Sequence, residues 1–194
     1  MHQTVPVTNH RRPKLDDYTR ARDQYRPGNV KVLWIAESPP TAYQSYFYFP
    51  KTTGRDHLFR ETMRSVGLWP FKKKMVKNLK KHALLKSFQA NGFFLIDTCN
   101  YPVDKLSKHE RRVAVLDGAS RIMNLVRELN PRKIIIVKSN VYGPVKRALY
   151  KADYHKRILN KTALAFPSHG NQKAYRTRIG RMIADGRVVL KLAA

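Results

Sequence analysis

Acidic residues are scarce in this chain. Only 13 Asp and Glu stand against 39 Lys and Arg in 194 residues, a formal net charge of +26. A folded domain with that excess repels itself until a polyanion neutralises it, and nucleic acid is the commonest such partner. A ribosomal protein and a binder of anionic membranes are the other readings of charge alone. Cysteine is nearly absent: Cys99 stands alone, so no intramolecular disulfide forms. A cysteine zinc site or a cysteine-held iron–sulfur cluster needs more thiols than this. Such cysteine usage fits a reducing compartment, and the chain is expected to be cytoplasmic, nucleoid-associated in a bacterium. Long apolar runs are missing too. The N-terminus, MHQTVPVTNHRRPKLDDYTRARDQYRPG, has no apolar signal core, and no membrane partner is expected. His57 and His109 have no partners at metal-ligand spacing, so neither a metal nor a cofactor is expected.

What is present is enough apolar material for a core. Hydrophobic residues make up 42% of the chain, and its length suits one domain. Residues 1–28 are polar and interrupted by Pro6, Pro13, Pro27 and Gly28, which predicts a basic arm or a short helix around Leu15–Tyr25, outside the core. Four nearly continuous apolar runs follow: Val30–Ala36, Gly92–Asp97, Lys133–Val137 and Thr162–Phe166. Continuity rather than alternation predicts strands buried on both faces, as in a parallel sheet. Helical spacing predicts helices over Asp56–Val66, Lys74–Phe88, Glu110–Leu129, Tyr142–Leu149 and Lys173–Ile183, with Pro144 in a first turn. Arg187–Leu192 reads as a short closing strand. The alternation predicts an α/β domain over 29–194: a three-layer α/β/α sandwich on a central, mainly parallel four-stranded sheet.

Ligands of such folds bind at the carboxyl ends of the strands. Those ends read Glu37-Ser38-Pro39-Pro40, Asp97-Thr98-Cys99-Asn100, Lys138-Ser139-Asn140 and Pro167-Ser168-His169-Gly170-Asn171, the last running into Lys173 and Arg176. Two acids, several amides and basic or rigid loops are expected to converge on one face.

These tips resemble the uracil-DNA glycosylase superfamily. AESPP is similar to that superfamily's first motif, GEAPG in one branch, with Glu37 on the acid. TTGRDHLFRETMRSVGL is similar to a segment in which a GR pair opens a helix ending in GL. AFPSHGNQ resembles the last motif, HPS and a DNA-entering loop. Membership implies base excision from DNA by a monomer. The nucleotide is flipped into a pocket, and Glu37 then steadies an oxocarbenium-like sugar and holds the attacking water. Resemblance puts Tyr48 or Phe49 on the wall that stacks the base, and Asp97 and Asn100 at its edge. Ser38, Pro39, Lys138, Ser139, Pro167, Ser168, His169, Gly170, Asn171, Lys173 and Arg176 are expected against DNA. Three departures stand out. Phe166 replaces the usual histidine of the last motif, Asp97 replaces a base-reading asparagine, and the branch's cluster cysteines are missing. An ionised carboxylate only accepts hydrogen bonds, whereas an amide also donates.

Each residue also has a plainer reading. Glu37 can cap a helix or sit in a salt bridge. Tyr46–Phe49 can be core, Asp97 can pair with arginine, Lys138 can touch phosphate only, and His169 can be solvated. A non-catalytic damage-binding protein on the same fold, or a basic RNA-binding protein, are the competing functions.

Overall fold

The computed structural model describes residues 13–50, 56–69, 81–186 and 188. In chain order the elements are α1 (Leu15–Asp23), β1 (Val32–Ala36), α2 (His57–Ser65), α3 (Lys81–Ala90), β2 (Phe93–Asp97), α4 (Lys108–Leu129), β3 (Lys133–Ile136), α5 (Ser139–Lys151) and α6 (Gln172–Asp185). Single 3-10 turns lie at Tyr43–Ser45 and His155–Arg157.

The sheet is parallel, in the order β2-β1-β3. Its strands carry β-branched and aromatic residues on both faces, and every residue of β1 and β2 is buried. That burial is the mark of a parallel sheet covered on two sides. α4 packs on α5, and α2 packs on α6.

The expected fourth strand is reduced to a bridge between Val137 and Leu164. The outer edge of β3 is satisfied piecemeal instead. Leu159 N–H donates to the Ile134 carbonyl, and the Asn160 side-chain amide accepts from the Ile136 N–H and donates to the Ile136 carbonyl, each at 3.0 Å. Lys138 N–H then donates to Leu164 O. A side chain that mimics a neighbouring strand makes a continuous ladder unnecessary at an edge.

The arm prediction also needs correction for residues 13–28. Tyr18 and Tyr25 belong to the core, so α1 is part of the domain. Two helix starts differ by two residues or more as well. α4 begins earlier than Glu110, because Ser107 and Glu110 form a capping box. α5 begins at Ser139, which leaves Pro144 inside the helix. Residues 74–80 of the predicted basic helix and most of the predicted closing strand lie outside the described residues. So do Gly54 and Arg55. No described helix is long and apolar enough to cross a membrane.

Candidate active site at the carboxyl edge of the sheet

Strand order decides where a ligand fits. The chain leaves β1 for β2 on one side, then crosses over to β3 on the other. The crevice of such a sheet opens between β1 and β3, outside their carboxyl ends. Glu37 is the first residue beyond β1, and Lys138 stands beyond β3. Their side chains meet there, Lys138 Nζ donating to Glu37 Oε2.

Two further donors close on the same carboxylate. Arg111 donates Nε to Oε1 at 2.6 Å and its Nη2 to Oε2, a two-pronged pairing. Asn140 donates its side-chain amide to Oε1. Four donors thus occupy the roughly four lone-pair positions of one carboxylate. Glu37 is 6% exposed. Burial alone pushes its pKa up, but the hydrogen bonds from Arg111, Lys138 and Asn140 outweigh that and hold it below the ordinary value. Glu37 is therefore an anion at neutral pH.

Local structure aims each partner. The Ser107–Glu110 capping box fixes the start of α4 and places Arg111 in its first turn, over the sheet's carboxyl edge. Gly118 sets how closely α4 approaches. A Cβ there would stand 2.3 Å from the Thr98 carbonyl, so only glycine allows this packing. Lys138 has a φ of 83°, a left-handed backbone unusual for a residue with a side chain. The bridge to Leu164 and the start of α5 hold it in that state.

Asp97 ends β2 at the level of Ala36. It is 8% exposed, and burial pushes its pKa up to about 7. Arg22 and Arg121 oppose that rise, and the negative charge of Glu37 reinforces it. Arg121 itself donates to the Asp97 and Thr98 carbonyls at 2.9 and 3.0 Å. Near neutrality a large share of Asp97 carries a proton, and in that form it both donates and accepts, as an amide does. The sequence-level contrast with asparagine is correspondingly weakened.

The aromatic segment departs from expectation. Tyr48 is buried, and its hydroxyl bonds to both the Leu95 N–H (2.8 Å) and the Leu95 carbonyl (2.9 Å). It is a core residue and not a pocket wall. Phe49 is only partly buried, but Tyr18 of α1 stacks on it at 5.4 Å and 20°. The Tyr18 hydroxyl also reaches the Pro40 carbonyl at 3.4 Å. One face of Phe49 is thus covered by the N-terminal helix.

Phe166 does reach the site, its ring 5.6 Å from Lys138 Nζ. The loop beyond it is tight. His169 and Gly170 both have left-handed backbones, Ser168 Oγ pairs with His169 Nδ1 at 2.9 Å, and Asn171 donates to Ser168 O. Pro167 is buried beneath it, while His169, Gly170, Asn171 and Lys173 are exposed. Ser38 is half-buried, Pro39 buried, Ser139 exposed and Asn100 partly exposed. Arg176 is a correction. Its guanidinium pairs with the buried Glu61 of α2, which also takes Arg64, so it joins α6 to α2 and is not free for phosphate.

Arg111, Arg121 and Tyr18 escaped the sequence reading, and Asn140 was placed at a strand end without a role. The Ser-x-x-Glu box just before Arg111 was the available signal. Among the described residues no group of three or more His, Cys, Asp or Glu is placed to hold a metal ion. Comparison of the chain with protein-family models and with curated proteins finds no match.

Proposed function

We propose that this protein is a DNA glycosylase of the uracil-DNA glycosylase kind, an α/β/α sandwich acting as a monomer on DNA. It flips a deaminated base and hydrolyses its N-glycosidic bond. One observation carries the proposal: a buried carboxylate, kept ionised by Arg111, Lys138 and Asn140, stands at the β1/β3 crevice of a chain with net charge +26. Glycosidic cleavage develops positive charge on the sugar, and a fixed anion lowers the cost of that charge. The same cations suit the phosphates flanking a flipped nucleotide.

Glu37 has no lone pair to spare for a water in this arrangement. In the proposed mechanism a DNA phosphate draws Lys138 away, and the freed oxygen takes the attacking water. Asp97, protonated, presents a donor and an acceptor to the base edge. The departing base carries negative charge and takes donors from Asn100 and the backbone of the neighbouring loops.

The test is base release from oligonucleotides carrying uracil, hypoxanthine, xanthine or mismatched thymine, by wild type and Glu37→Gln. Release by wild type that drops at least about 100-fold in the variant, with binding retained, is the expected result. Release that survives the substitution removes Glu37 from the chemistry.

Two observations favour a second reading, a damage-binding protein that does not cut. Every acceptor position of Glu37 is occupied, and one face of Phe49 is covered by Tyr18. Tight binding to damaged DNA with no base released from any substrate would select it.

A further inference from the structure

α5 carries a second basic surface, which leads away from Glu37 along the helix. Tyr142, Lys146 and Tyr150 are spaced i, i+4, i+8 and share one face. Lys146 Nζ lies between the two rings, 5.3 Å from the centre of Tyr142 and 5.9 Å from that of Tyr150. Past the helix end, His155 stacks on Tyr150 at 4.5 Å and 13°. The Arg157 guanidinium covers Tyr154 at 4.6 Å. Tyr150 is 55% exposed, unusual for so large a ring. Residues 142–161 include six lysines and arginines (Lys146, Arg147, Lys151, Lys156, Arg157, Lys161) and a single acid, Asp153. That acid lies 3.5 Å from His155 Nδ1 and is itself 88% exposed.

The position is as informative as the composition. α5 starts at the Lys138 tip and runs back along the sheet for 13 residues, about 20 Å. Arg157 then bonds to Asn130 and the Pro131 carbonyl at the opposite end of β3. The strip therefore leads from the Lys138 tip toward the opposite end of the sheet.

Alternating rings and cations suit a strand whose bases stack while its phosphates meet charge. A membrane surface would call for exposed aliphatic side chains among the cations. The large exposed aliphatics among the described residues, Leu15, Val113 and Leu116, lie on α1 and α4 instead. We infer that the Tyr142–Arg157 strip is a second DNA contact, which stacks a base of a single-stranded segment on Tyr150 while the lysines and arginines around it hold the flanking phosphates. This rests on the nucleic-acid part of the proposed function and not on its chemistry.

The experiment measures binding of the full chain to a DNA hairpin, bare or extended by a single-stranded thymine tail. A tail of about 12 nucleotides lies within the range that single-strand sites cover. A third probe carries an abasic tail with the same phosphates. The thymine tail is expected to tighten wild-type binding at least about 5-fold, the worth of one stacked base. Tyr150→Ala should erase that gain, and Tyr150→Phe should keep it. Because Tyr150 is exposed, both variants should melt like wild type. An equal gain from the abasic tail, or a gain that survives Tyr150→Ala, overturns the inference. So does sedimentation with anionic vesicles that depends on Tyr150 while the tail adds nothing, since it reassigns the strip to a membrane. Loss of base release in Glu37→Gln leaves the tail effect untouched, so the two proposals fail separately.

Discussion

Glu37 and Asp97 sit at the ends of neighbouring parallel strands, both buried, and their environments push them in opposite directions. Glu37 receives four donors and is held ionised. Asp97 has cations near it but is dominated by burial, and it titrates close to neutrality. Two carboxylates whose environments drive their pKa values apart are a natural division of labour between a fixed anion and a proton-bearing group. The comparison teaches that residue type and strand position do not set a role. The donors brought up by α4 and α5 do.

Removing the charge of Glu37 is the strongest way to break this contrast. Glu37→Gln should lower base release by about two to three orders of magnitude, read in single-turnover assays. Next in size is Arg111→Met, which leaves the carboxylate with only Lys138 and Asn140. We expect a stability loss of about 2 kcal/mol by chemical denaturation at neutral pH, since a buried anion loses its two-pronged partner. Protonation of the Glu37 carboxyl in that variant, followed by infrared spectroscopy, should occur at higher pH than in wild type. If it does not move, Arg111 is not what holds Glu37 ionised.

Gly118→Ala tests the scaffold beneath both carboxylates. The added methyl meets the Thr98 carbonyl, so α4 must shift, at a cost of about 1–3 kcal/mol. Thermal melting reads that loss, and a wild-type melting temperature would mean that the helix gives way freely.

The two acids should also give opposite pH dependences. The folded pKa of Asp97 lies above its ordinary 3.8, at about 7. Its contribution to stability is full below about pH 4 and is lost as pH rises through about 7. Glu37 lies below its ordinary 4.5, so its contribution is present above that value and disappears on further acidification. Asp97→Asn should remove the decline between about pH 4 and 7, seen in denaturation midpoints across that range. An unchanged decline would place its origin elsewhere, with the buried Asp56–Lys81 pair the next group to vary. Smallest of all is Lys138→Gly against Lys138→Ala. Both delete the ammonium, but only glycine adopts a φ of 83° freely, so the glycine variant should be the more stable by about 1 kcal/mol.

Much of the fold could be read from the chain. Continuous apolar runs identify β1, β2 and β3, and the strand ends point to Glu37, Asp97 and Lys138. The fourth run misled because Thr162–Phe166 has strand-like composition, while the edge it would occupy is already filled by the Asn160 side chain. Tyr48 misled because an aromatic segment after a strand tip reads the same whether its rings line a pocket or fill a core. α1 reads as an arm because a nine-residue helix with three acids and two arginines, flanked by prolines, looks peripheral. Only its fit against Phe49 and Tyr46 shows otherwise.

By itself the sequence determined the charge, the parallel α/β plan and the residues that end each strand. Those properties follow from local composition and from the period of the apolar pattern. Tertiary structure decided that Arg111, Lys138 and Asn140 converge on one carboxylate, while Asp97 is left to be governed by burial. Those outcomes depend on distances between segments up to 103 residues apart, which no local pattern encodes.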